Sequence, residues 1–114
     1  MAKAVKSTLN AYIFLDESPH FAYIHLVDIE FDSAKNKINI TKHGVSLELA
    51  VILFGGPHIL IEDNRRDYGE ARFWAFGKIQ GREYVCVYAE RTDRVRVISL
   101  RKANRREVNA YYKS

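Results

Sequence analysis

The chain has 114 residues, of which 47% are apolar and 28% charged, a composition for one soluble globular domain and too short for two independent cores. No apolar run approaches the roughly 20 residues of a membrane-spanning helix, and the segment 11–27, interrupted by Asp16, Glu17, Pro19 and His20, lacks a secretory cleavage pattern. A lone cysteine, Cys86, excludes an internal disulfide, so a cytoplasmic protein without a membrane partner is expected.

Residues 1–28 have no clean period of 2 or 3.6. Short strands near Ala11–Leu15 and Phe21–Val27, joined by a turn at Ser18-Pro19, are the expectation there. Ile29–Phe31 reads as a further short strand. Asp32 has the side chain of an N-cap, and the helix it starts runs to about His43, where Gly44 supplies a left-handed stop. This helix is mostly polar, with Lys35, Lys37 and Lys42. Ser46 caps a second helix, Leu47–Phe54, expected to bury Leu49, Ala50, Ile52 and Leu53 and to stop at Gly55-Gly56-Pro57.

His58–Glu62 reads as a strand, and 63-DNRRDYGE-70 as a charged loop. Three strand-like runs follow at 71–79, 82–90 and 94–100. Gln80-Gly81 fits a two-residue hairpin, and Thr92-Asp93 is a second candidate. In the last run Val95 and Val97 alternate with Arg94 and Arg96, giving one apolar and one basic face. A closing helix is expected over about Lys102–Tyr112, opened by Arg101 and Lys102. The order predicts an α+β fold: an antiparallel sheet meander with helices packed on one side.

The net charge of +4 is uneven, because Arg91–Ser114 carries eight basic residues against Asp93 and Glu107. Such asymmetry fits a polyanion or an acidic protein partner, and equally a solvated basic helix. The four histidines are scattered and one cysteine makes no zinc cluster, so neither a metal nor another cofactor is expected. No glycine-rich phosphate loop or nucleophile elbow is present. What remains is a set of cations and aromatics: Lys42, His43, Arg72, Arg94, Arg96, Arg101 and Lys102, with Tyr68, Tyr84 and Tyr88 as stacking candidates. Guanidinium forks suit phosphate oxygens and tyrosine faces suit unstacked bases. The same arginines can be a solvated strand face, and Tyr84 and Tyr88 can be core. Lys42-His43-Gly44 is on its own a good helix stop, since cations favour a helix C-terminus. An imidazole fixed at such an end also suits acid–base chemistry, and the two readings are compatible.

The stretches 30-EFDSAKNKINITKHGVSLELA-50, 62-EDNRRDYGEARFWAFGKIQGREYVCVYAER-91 and 94-RVRVISLRKANRREVNAYY-112 together resemble the BrnT family, the toxins of a bacterial type II toxin–antitoxin system. The pieces FDxxKNxxN, KHGV, DYGExR and RxISxRKAxRRE occur in order, over about residues 29–112. The resemblance implies a RelE-like fold with two short N-terminal helices, an antiparallel sheet and a C-terminal helix. It implies a ribonuclease that blocks translation. It also implies a BrnA-like antitoxin, in a heterotetramer or similar complex that alone would contact operator DNA. Carried onto this chain, the motifs single out Lys42, His43, Arg72, Arg96 and Arg101 as catalytic. Arg94, Tyr68, Glu70 and Lys102 are left to RNA binding. Residues 29–114 would form the toxin domain, and 1–28 would be an extension. Leu26 or Val27 is one expected true start, and an extension pairing with the sheet edge is the other reading; intact mass of natively expressed protein separates them. The expected chemistry is metal-independent cleavage of RNA by its own 2′-OH. The alternative is a non-catalytic module that binds nucleic acid or docks the antitoxin.

Overall fold

The computed structural model describes residues 4–14, 24–65 and 67–113. Strand β1 (Ala4–Phe14) pairs antiparallel with β2 (Ile24–Asp32). The first strand is longer and earlier than expected, and the second merges with the anticipated Ile29–Phe31 strand. The expected Ser18-Pro19 turn lies outside the described residues. Asp32 ends β2 and caps helix α1 (Ser33–His43), its Oδ1 accepting from the N–H groups of Ala34 at 2.8 Å and Lys35 at 3.1 Å. Gly44 closes α1 at φ +74° with its N–H on the Ile40 carbonyl, a backbone state that glycine adopts without strain.

Ser46 caps the next segment as expected, but the single helix anticipated there is a 3-10 turn, Leu47–Leu49, followed by α2 (Ala50–Gly55). Leu47, Ala50, Leu53 and Phe54 point into the core, whereas Leu49 and Ile52 are exposed, contrary to expectation. The tighter 3-10 turn rotates the buried face by the difference in residues per turn.

Strands β3 (His58–Glu62), β4 (Arg72–Ile79), β5 (Arg82–Glu90) and β6 (Val95–Lys102) form the antiparallel meander. Gln80 and Gly81 both have positive φ, at 51° and 79°, which makes the tight turn whose twist matches the flanking strands. At the other hairpin the Arg91 N–H reaches the Arg94 carbonyl, with Thr92-Asp93 at the tip. The sheet order is β1-β2-β6-β5-β4-β3. One pair departs from a pure antiparallel meander: β2 lies parallel to β6, with Ile29 beside Val95 and Glu30 beside Arg96. The cause is topological, since the two helices carry the chain across from β2 to the far edge before it meanders back.

Two corrections concern the last elements. Arg101 and Lys102 do not open the closing helix; they end β6. Helix α3 spans Arg105–Lys113, because Asn104 and Glu107 form a reciprocal capping box, each side chain accepting the other's N–H at 2.8 Å. The helices also do not share one side. α2 covers the face bearing Ala75, Cys86, Tyr88, Val97 and Leu100, whereas Val108 and Tyr111 of α3 pack on Phe76 and Val85 of the opposite face.

Two local features set the register. β6 carries a bulge: Val87 pairs with Ser99 but Tyr88 pairs with Val97, so Ile98 is the extra residue. Beyond it the side-chain parity reverses. Leu100 therefore enters the core, while Ser99 and Arg101 join the face of Arg96. The second feature is Gly77. A β-carbon there would lie 3.0 Å from Leu53 Cγ and 3.1 Å from His58 Cβ, so α2 sits directly on the strand backbone. Gly77→Ala is expected to destabilise the fold by about 1–3 kcal/mol through overpacking. Urea unfolding measures this, and an unchanged midpoint would show that α2 can shift freely.

Candidate active site

The strand register places four residues in one transverse row on the face opposite α2. Arg72 of β4 pairs with Ala89 of β5, Ala89 with Arg96 of β6, and Arg96 with Glu30 of β2. Ala89 is a fully buried small residue, so the row presents two guanidinium groups across a low floor. Glu30 is itself buried, and only a cluster of cations makes an ionised carboxylate tolerable there. Its Oε1 lies 3.2 Å from Arg94 Nε, 3.8 Å from Arg96 Nη1 and 3.9 Å from Arg91 Nε. A second carboxylate, Glu70, meets Arg91 at 3.1 Å and Arg72 at 3.7 Å. Arg94 additionally pairs with Asp93 at 2.9 Å.

Four arginines thus gather around Glu30 and Glu70, and positive charge is in excess. Arg94 Nε is turned to Glu30, whereas the Nε of Arg72 is buried without a hydrogen-bond partner among the described residues, with Glu70 at 3.7 Å. An unfilled guanidinium donor beside an excess of cations is what an anion-binding site requires before its anion arrives. The Arg72 guanidinium also lies 4.1 Å from the Tyr68 ring centroid, which holds it by cation–π attraction.

The loop supplying Tyr68 is organised by Asp63. This buried carboxylate accepts from Arg65 Nε and Nη2, both at 2.9 Å, from Tyr68 Oη at 3.1 Å and from Trp74 Nε1 at 3.2 Å. The hydrogen bonds from Arg65 come first among the causes that hold its carboxyl well below the usual range. Arg65 in turn sits 4.7 Å over the Trp74 ring. Trp74, Val87 and Ser99 form the next transverse row. The site floor therefore has an indole one row from the arginines, and rows two residues apart along a strand are about 7 Å apart.

Lys42 and His43 lie at the end of α1, beside the β6 edge that β2 leaves unpaired. Asn39 makes that docking specific. Its amide donates to the Leu100 carbonyl at 2.8 Å and the Val45 carbonyl at 3.0 Å, and its Oδ1 accepts the Leu100 N–H at 3.2 Å. A side chain thus takes the place of a neighbouring strand. Asn36 adds a 2.7 Å bond from the Leu47 N–H. With α1 fixed this way, Lys42 and His43 line a shallow hollow with Ile98 and Ser99. His43 has its pKa lowered from the ordinary 6.5, first by desolvation and then by the charges of Lys42 and Arg101. Both effects favour the neutral imidazole.

The fold thus brings Arg72, Arg94 and Arg96 into one cluster, with Tyr68 and Glu70 holding it, and seats Lys42-His43 beside Ile98 and Ser99, the latter in the row next to the arginines. Arg101 is on the same face, but Glu107 grips it through two bonds of 2.7 and 2.8 Å, joining β6 to α3. Lys102 is not brought to the cluster, because it pairs with Tyr84 on the other face. Tyr84 and Tyr88 are core residues rather than stacking candidates, since strand alternation puts them with Cys86 under the helices. Sequence reasoning missed Glu30, Asp63, Arg65, Trp74 and Arg91. The two-residue spacing of Arg72 and Trp74 on a strand was the one available signal.

A family model described as the ribonuclease toxin BrnT of type II toxin–antitoxin systems matches residues 31–107. No curated protein matches the chain.

Proposed function

The chain belongs to the BrnT family of ribonuclease toxins of type II toxin–antitoxin systems, and from that premise we propose that its arginine row is the phosphate clamp of a metal-independent endoribonuclease. The observation that carries the reading is the pairing of Arg72 and Arg96 across Ala89, with the buried Nε of Arg72 lacking a hydrogen-bond partner among the described residues. RNA bears its own nucleophile. The 2′-oxygen attacks the neighbouring phosphorus, the bond to the 5′-oxygen breaks, and the products carry a 2′,3′-cyclic phosphate and a 5′-hydroxyl. A base must take the 2′-OH proton, an acid or a water molecule must give a proton to the departing 5′-oxygen, and cations must meet the charge that grows on the phosphoryl oxygens.

His43 takes the proton, its neutral form favoured first by desolvation and then by the charges of Lys42 and Arg101. Arg72 and Arg96 hold the phosphate, and Arg94 extends the clamp. Glu30 and Glu70 orient the arginines. Tyr68, with Trp74 and Arg65, offers faces on which a base can stack. Lys102 contributes to RNA binding at a distance. The metal-free reading rests on RNA's own 2′-OH as nucleophile and on arginines as the cations that meet the phosphate charge. We further read the architecture as RelE-like, the cellular effect as inhibition of translation in the cytoplasm, and the neutralising partner as a BrnA-like antitoxin. No described helix is long and apolar enough to cross a membrane.

End-group analysis of cleaved RNA tests the reaction type: 2′,3′-cyclic ends support it, and 3′-hydroxyl ends contradict it. The pH profile tests the base. Because the folded pKa of His43 is depressed, the neutral form persists below the ordinary 6.5 and is lost only as pH falls further. The acidic limb of kcat/KM, which reports the free protein, is therefore expected below pH 6.5, and Lys42→Ala should move it upward by removing one of the lowering charges. A limb unmoved by Lys42→Ala and retained in His43→Ala would assign the titration to another group.

A further inference from the structure

Strand β3 terminates the sheet, and no described element pairs its outer edge. An edge of this kind leaves alternate N–H and C=O groups open, and proteins normally blunt it with charge, proline or a covering element. β3 does the reverse. Its three central residues, Ile59, Leu60 and Ile61, are 40%, 51% and 50% exposed. They project to both faces, since Ile59 and Ile61 share the face of Phe76 and Trp74 while Leu60 shares that of Ala75. On the first face they border an apolar hollow with Phe76, Ala110 and Tyr111.

The strand is also self-complementary. Its sequence, His58-Ile59-Leu60-Ile61-Glu62, is symmetric in character about Leu60. If a second copy lies antiparallel with Leu60 opposite Leu60, then Ile59 meets Ile61 and His58 meets Glu62, twice over by symmetry. A one-residue slip would place apolar residues against charged ones and lose the match. We propose that the β3 edge is a homodimer interface, joining two copies of this chain through a two-fold β3–β3 pairing into one continuous sheet. The contact is isologous and closes on itself, so it makes dimers and not fibres. It also leaves the arginine row open to its ligand, because Arg72 and Arg96 lie on one face of β4 and β6 and not on the outer edge of β3. Five residues a side are fewer than in a standard interface, so the dimer is a weak one, with Kd on the order of micromolar or above. The inference does not depend on the catalytic reading.

Sedimentation equilibrium of the full chain, without any partner, tests it. A reversible monomer–dimer equilibrium is expected, and Leu60→Lys, which opposes two ammonium groups at the centre, should leave only monomer. Leu60 is half exposed, so that variant should keep the wild-type thermal midpoint. Leu60→Cys gives a second readout: the residue faces its own copy, so glutathione disulfide should convert it to a covalent dimer, while Glu62→Cys, facing His58 of the other copy, should not cross-link. Native Cys86 is buried and does not interfere. A chain that stays monomeric at high concentration overturns the proposal. So does a dimer indifferent to Leu60→Lys, or a β3 edge that pairs only when an antitoxin is added.

Discussion

Arg96→Ala is expected to lower kcat for RNA cleavage by about 10²–10³-fold, the range for removing one preorganised donor to a developing oxyanion. The loss should fall mainly on kcat, since the charge that Arg96 meets grows as the P–O bond breaks. The fold should survive. Glu30, which Arg96 approaches at 3.8 Å, keeps Arg94 at 3.2 Å and Arg91 at 3.9 Å, so no buried carboxylate is orphaned. Arg96→Lys keeps the charge but loses the planar fork, and should recover only part of the rate. Steady-state kinetics beside a thermal melt separate the two effects. A variant that cleaves normally would remove Arg96 from the clamp. One that melts early would recast it as a structural partner of Glu30.

Asn39→Ala is expected to cost about 2–4 kcal/mol of stability, the largest effect on the fold from a single polar residue. Asn39 is 5% exposed and closes both backbone groups of Leu100. Its removal leaves that N–H and carbonyl, with the Val45 carbonyl, buried and unpaired, each at a desolvation cost of about 1–3 kcal/mol before relaxation. The thermal midpoint should fall by about 10 °C. Activity measured below that midpoint should fall too, because α1 would no longer seat Lys42-His43 against β6. Asn39→Asp is a sharper probe: it keeps the acceptor for the Leu100 N–H and loses the donor to two carbonyls. A melting point within about a degree of wild type for Asn39→Ala would mean that water fills the gap and the docking of α1 rests elsewhere.

Much of this was legible in local chemistry. The Asp32 and Ser46 caps, the Gly44 stop, the Gln80-Gly81 turn and the alternation of Arg94, Val95, Arg96 and Val97 all read directly, because each depends on neighbours within a few residues. The harder features were those fixed by distant partners. α1 looks too polar to pack, and it packs because its buried contacts are asparagine amides on strand backbone rather than apolar side chains. Arg96 and Arg101 are five apart, so simple alternation sends them to opposite faces; the bulge at Ile98 reverses that, and nothing local in the sequence marks it. The parallel contact between β2 and β6, which brings Glu30 to Arg96, follows only from the whole topology. The same holds for Asp63, whose partners Arg65, Tyr68 and Trp74 reach as far as eleven residues along the chain and are drawn together by the β3–β4 pairing.

The Lys42-His43 pair was ambiguous between a helix stop and a catalytic mount; the geometry shows the stop, and the mount is the role proposed above. The Gly44 N–H closes the helix while Asn39 presses it on β6. A residue needed for chemistry gains from sitting where the backbone is already pinned.

The most direct test of the account is cleavage of a labelled single-stranded RNA by the purified chain in excess EDTA, with wild type and Arg96→Ala side by side. The account predicts that wild type cleaves undiminished in EDTA, leaving cyclic phosphate ends, and that the variant is slower by at least about a hundredfold. Cleavage abolished by EDTA and restored by a divalent cation, or RNA retained at low salt but never cut, would contradict it.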